Sequence, residues 1–80
     1  MPVEHAGLAA HAEVLRSDAR ALAACAERLR EIGARLEAAG VAPPWLRASV
    51  NAHVAACVEA VTDLDEAATR LHRYAARSRP

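Results

Sequence analysis

Phenylalanine and lysine are missing from this chain, and tryptophan and tyrosine occur once each. Without large aromatics, a chain of 80 residues cannot build the kind of core that closes a small sandwich or barrel, because aromatic rings carry most of the buried area in such folds. Only three glycines are present, too few for the repeated tight turns of an all-β protein. No apolar run approaches the ~20 residues of a membrane span, so no membrane insertion is expected. The first ten residues carry Glu4 and His5 and lack the apolar h-region of a secretory signal peptide. The expected location is therefore the cytoplasm, unless a leaderless route exports the chain. Ten arginines balance ten acidic residues. That balance argues against a nucleic-acid surface, which needs a basic face. The only basic run is Arg70, Arg73, Arg77 and Arg79, and it suits a helix C-terminus equally well.

What is abundant is alanine, with leucine, arginine and glutamate behind it. These are strong helix formers. Leu8, Leu15, Leu22, Leu29 and Leu36 recur every seven residues, and four positions after the first four stand Ala12, Ala19, Ala26 and Gly33. Leucine at one heptad position and a very small residue at the other is a coiled-coil seam built for close approach. The pattern predicts a first helix over about residues 3–39. Gly40 is placed as its C′ residue, with Val41 following and able to fold back on Leu36 in a Schellman ending. Pro43 and Pro44 forbid continuation, and Pro44 suits the start of the next helix.

The second segment is equally regular. Leu46, Val50, Val54, Cys57, Val61, Leu64, Ala68, Leu71 and Ala75 advance in alternating steps of three and four, which predicts a helix over about 45–77. A connection of about five residues, 40–44, makes the two helices antiparallel neighbours. The fold class is all-α, a single domain spanning 1–80. Residues across the hairpin should have numbers summing to about 83, a register that places Arg20 by Asp63, Arg16 by Glu66 and Glu13 by Arg70. Two helices leave one side of each seam uncovered, so the hairpin is expected to dimerise into a four-helix bundle. The partner is a second copy or another helical protein, and the small seam residues Ala12, Ala19, Ala26, Gly33 and Ala68 are the expected contacts between chains.

Few residues carry chemistry. Cys25 and Cys57 fall at one level of the hairpin, and two readings stand: an interhelical disulfide, or two buried thiols acting as small apolar groups. His53 lies one turn before Cys57, so Cys25, His53 and Cys57 form a three-ligand metal candidate without an evident fourth ligand. His11 and His72 share a level near the open end and read as solvent-exposed. Glu59, Asp63, Asp65 and Glu66 spread around a helix surface. No phosphate-binding loop and no nucleophile with a base and orienter is present, so no catalysis and no cofactor is expected. Trp45, just after Pro43 and Pro44, either closes the end of the bundle or anchors a partner. Tyr74 poses the same choice at the far end.

A hairpin of two long helices with Trp45 at its tip and Tyr74 near its end resembles the small actinobacterial substrates of type VII secretion, the Trp-x-Gly proteins and the EspC-like targets. The EspC-like likeness rests on Leu8 to Leu15 in the first helix and on Asp65 to Tyr74 in the second, and it extends over nearly the whole chain. The tip reads Trp45-Leu46-Arg47, without the glycine of Trp-x-Gly. Tyr74 is followed by Ala75, Ala76, Arg77 and Ser78, without the acidic residue that completes the family's export signal. The resemblance implies a non-enzymatic protein–protein interaction module, a secretion substrate or accessory partner, that either travels with a partner carrying that signal or is not exported. The alternatives are a metal-binding or redox four-helix bundle using Cys25, His53 and Cys57, and a cytosolic adaptor or regulatory dimer.

Overall fold

A computed structural model of the chain describes residues 2–78, with side chains from Gly7 to Ser78. It consists of two helices, α1 (Pro2–Ala38) and α2 (Leu46–Arg77), folded against each other as an antiparallel hairpin 61 Å long and 14 by 11 Å across. Among the described residues there is no strand.

Helix α1 ends as its sequence dictates. Gly40 adopts φ +72°, a left-handed conformation that costs a side-chain-bearing residue strain. The Gly40 N–H donates to the Glu37 carbonyl (3.0 Å) and the Val41 N–H to the Leu36 carbonyl (3.2 Å). That is the full hydrogen-bond pattern of a Schellman ending. Val41 itself stays 62% exposed, so its side chain seals little of the turn.

The start of α2 differs slightly from expectation. Pro44 and Trp45 do not open the helix; they occupy the middle of a turn in which the Leu46 N–H donates to the Pro43 carbonyl at 3.0 Å. Proline pre-sets the first central position of such a turn, and Trp45 at φ −82°, ψ −13° sits in the conformation of its second. No side chain caps the start of α2.

The two helices interlock by size. Gly33 lies against Val50, whose methyls would stand 3.5 Å from a Cβ built on the glycine. This contact anchors the register at a number sum of 83. It sets each small residue of α1 level with a larger one of α2: Ala12 with Leu71, Ala19 with Leu64, Ala26 with Cys57. The alternation then reverses, with Leu8 level with Ala75, Leu15 with Ala68, Leu22 with Val61 and Leu29 with Val54. Every layer except Leu22–Val61 and Leu29–Val54 thus sets one small residue against a larger one, which lets the two backbones approach closely.

The buried residues are the small members of these layers: Ala12, Ala19, Ala26, Val54, Ala68 and Ala75, all at 9% exposure or less. No large side chain is fully buried. This corrects one expectation. Ala12, Ala19, Ala26, Gly33 and Ala68 serve the seam within the hairpin rather than a contact between chains, because the second helix of the same chain already covers them.

Two substitutions separate the roles of small size. Ala19→Leu forces a second large side chain into a layer already filled by Leu64 and should destabilise the hairpin by about 1–3 kcal/mol. Gly33→Ala meets Val50 only at ordinary contact distance and relieves the entropic cost of a helical glycine, so it should stabilise by about 0.5–1 kcal/mol. Urea unfolding followed by circular dichroism measures both, and opposite signs are the expected outcome.

Candidate interaction surface

The layers have a direction. Helical periodicity puts the leucine row of α1 on one side of the seam, and the register puts Cys57, Leu64 and Leu71 of α2 on the same side. The alanine rows Ala12–Ala19–Ala26 and Ala68–Ala75 lie toward the other side. The hairpin thus has a leucine flank and an alanine flank.

Polar groups bridge the alanine flank toward its ends, while Ala23, Ala26, Val58 and Val61 line an open depression between them. Arg16 donates to the Thr69 hydroxyl at 3.2 Å. The His72 Nε2–H donates to the Glu13 carboxylate at 2.8 Å. At the tip, Arg47 grips Glu37 with two hydrogen bonds, Nε to Oε1 at 2.8 Å and Nη2 to Oε2 at 2.6 Å. Arg30 pairs with Glu27 one turn away on α1.

None of the expected pairs Arg20–Asp63, Arg16–Glu66 or Glu13–Arg70 is among the ion pairs of the described residues. The reason is geometric. Side chains lean toward their own helix N-terminus, so in an antiparallel pair long side chains meet about one residue late on each helix. Short contacts such as Gly33–Val50 keep a sum of 83, whereas Arg16–Thr69 and Glu13–His72 sum to 85.

The hydrogen bonds from Arg47, and the nearby guanidinium charge, hold the exposed Glu37 carboxyl below its ordinary value and raise Arg47 above its own. A lowered folded pKa means that this link is fully present above the ordinary glutamate range. It is lost as pH falls through the folded value.

The leucine flank has no such cover. All five heptad leucines of α1, with Leu46, Leu64 and Leu71 of α2, remain half-exposed. Leu15, Ala67, Leu71 and Tyr74 line a shallow depression there, edged by Arg70, Arg73 and Arg77. Beside the leucine row stand Val14 (55% exposed) and Ile32 (51%). The whole chain exposes 5806 Å², whereas a compact monomer of 8.5 kDa exposes about 4,700 Å², an excess of roughly 1,100 Å².

Trp45 is 65% exposed and Tyr74 55%. Trp45 therefore does not close the end of the hairpin, because its place in the turn points it outward.

The chemical candidates do not assemble. Cys25 and Cys57 are free thiols, both half-buried. His53 is exposed, with its Nδ1–H donating to the Ser49 carbonyl of its own helix at 2.7 Å. No three His, Cys, Asp or Glu side chains among the described residues are grouped to hold a metal ion, so Cys25, His53 and Cys57 do not form the metal site that their spacing suggested. One helical turn brings His53 to the same side of α2 as Cys57, but its ring is engaged with its own backbone. His11 is exposed, as expected, while half-buried His72 is engaged by Glu13. Arg79 lies outside the described residues. No described helix is long and apolar enough to cross a membrane.

The leucine flank is the feature that reading each helix separately did not isolate. Its signal is present: the leucine row of α1 and Leu64 and Leu71 of α2 fall on one side only once the register is imposed on both helices. Compared with models of known protein families, with curated proteins and with solved structures, the chain matches none.

Thiol titration of the folded chain without reductant should find two free thiols per chain; finding none would establish a disulfide. Glu37→Gln should lower the melting temperature near neutral pH, and the difference from the parent should shrink as pH falls below about 4.5, the ordinary value for this carboxyl.

Proposed function

We propose that this chain is a non-enzymatic helical interaction module whose leucine flank packs against a second helical hairpin to complete a four-helix bundle. We read its biological setting as type VII secretion, with the chain acting as a substrate or substrate partner. The observation that carries the packing is the leucine flank, along which the leucines of both helices stay partly exposed, while the opposite flank is bridged by polar links toward its ends. The elongated chain as a whole exposes roughly 1,100 Å² more than a compact monomer of its mass, and one partner in a standard protein–protein interface contributes about 800 Å².

The setting rests on the resemblance of Leu8–Leu15 and Asp65–Tyr74 to the EspC-like targets and on the tryptophan at the tip. Because the acidic residue of the family's export signal is absent after Tyr74, the chain folds in the cytoplasm and leaves only in a bundle with a chain that carries the signal. Val14 stands beside the leucine row, is 55% exposed and belongs to no seam layer, so a charge there blocks assembly while leaving the seam in place.

Secretion in the native host tests this reading. The parent chain should appear in the culture filtrate only when the secretion ATPase is intact, and Val14→Glu should be retained in the cells while remaining helical. Retention of the parent chain, or release that is independent of the ATPase, would contradict the secretion role.

A further inference from the structure

At the open end of the hairpin the chain's even balance of charge is lost. From Thr69 to Ser78 no acidic residue occurs, and Arg70, Arg73 and Arg77 follow one another at steps of three and four. Each therefore stands beside a like charge on one face of α2, which weakens a helix unless an opposite charge compensates. Among the described residues none of the three takes part in an ion pair, unlike Arg30 and Arg47, which pair with Glu27 and Glu37. Glu66 stands one turn before Arg70 and leaves it unpaired. The negative end of the helix dipole accounts for Arg77, the basic residue of the last turn. That field falls off within the turn and leaves Arg70 and Arg73 uncompensated.

The three guanidinium groups have an ordered setting. Going around α2 from the seam outward, helical periodicity gives Leu71, then Tyr74, then Arg70, Arg77 and Arg73. With Leu15 of α1, these residues line the shallow depression at the open end. Its floor beside the seam is apolar, Tyr74 stands 55% exposed next to it, and its outer rim is cationic. An occupant that satisfies all three zones is amphipathic. It sets an apolar side chain over Leu15 and Leu71, touches the Tyr74 ring and turns carboxylates toward the rim. Each guanidinium fork can hold a carboxylate through two parallel hydrogen bonds.

We propose that this depression is a docking site for an acidic amphipathic peptide segment of another protein. A lipid surface fits it less well, because a projecting side chain reaches the apolar floor behind the arginine rim and a flat membrane plane does not. The occupant is bounded on one side. Glu59, Asp63 and Glu66 come earlier along the same outward face of α2 and repel carboxylates, so the segment runs from the level of Arg70 toward the open end. Tyr74 and the rim are turned away from the seam and stay reachable when a second hairpin covers the leucine row. The site thus goes beyond the bundle and adds a second kind of partner.

Fluorescence anisotropy of a labelled synthetic peptide rich in glutamate and leucine, titrated with the full chain, tests the site. The peptide should bind at low ionic strength and more weakly as salt is added. Arg70→Gln combined with Arg73→Gln should weaken binding at least about tenfold. Tyr74→Ala, which leaves the charge unchanged, should also weaken it about tenfold. All three positions are exposed, so both variants should keep the helicity of the parent by circular dichroism. A peptide of glutamate alone should bind more weakly than the amphipathic one. No binding of the amphipathic peptide at low ionic strength overturns the proposal. So does equal binding of the glutamate peptide together with an unaffected Tyr74→Ala variant, which would reduce the site to plain charge attraction. Binding to phosphatidylglycerol vesicles without binding to the peptide would assign the patch to a lipid surface and overturn it as well.

Discussion

How closely two helices can approach depends on what stands between their backbones, and in this hairpin that is an alanine or a glycine in most layers. Each alanine of one helix is level with a larger residue of the other, so the seam is thin yet evenly filled. That arrangement fixes the register, because sliding by one layer would set leucine against leucine and alanine against alanine, leaving overpacked and empty layers in turn. It also limits what the seam contributes. Alanine buries little area, and no large side chain is fully enclosed. The hairpin is therefore well specified in geometry and thin in hydrophobic stabilisation.

The same layers make the molecule two-sided. Because the small rows lean to one flank, that flank is narrow enough for arginine, histidine, glutamate and threonine side chains to bridge it, and Glu13–His72, Arg16–Thr69 and Glu37–Arg47 do so. The large rows lean to the other flank, where the seam is too wide for such links and the leucine side chains stand half out of the interface. The leucine flank, which has no such links among the described residues, is the more open face for association. The exposed aromatics lie near its two ends, Trp45 held outward by its turn and Tyr74 beside the depression at the open end.

The fold was legible in the sequence because its determinants are periodic and local: leucine every seven residues, Gly40 at a position with positive φ, and two prolines in the connection. The hairpin register was legible too, through the short connection between the helices. The side-chain pairing was not. Arg20–Asp63, Arg16–Glu66 and Glu13–Arg70 follow from counting Cα positions, whereas real side chains lean toward their N-termini and meet two numbers later. The destination of the alanines was also not legible from spacing, since a small-residue stripe fits a seam within one chain as well as one between chains. The cluster of Cys25, His53 and Cys57 failed because shared spacing does not bring three donors to one point. His53 bonds its own helix instead, and both cysteines remain free.

If the alanine seam holds the hairpin only when its leucine flank is covered, folding and association are one process. The direct measurement is the melting temperature by circular dichroism across a hundredfold range of protein concentration. Linkage between folding and assembly makes that temperature rise with concentration. The account predicts a rise of several degrees over the range, with one cooperative transition. A melting temperature independent of concentration, with full helicity at the lowest concentration, would show that two alanine-packed helices suffice alone and would contradict it.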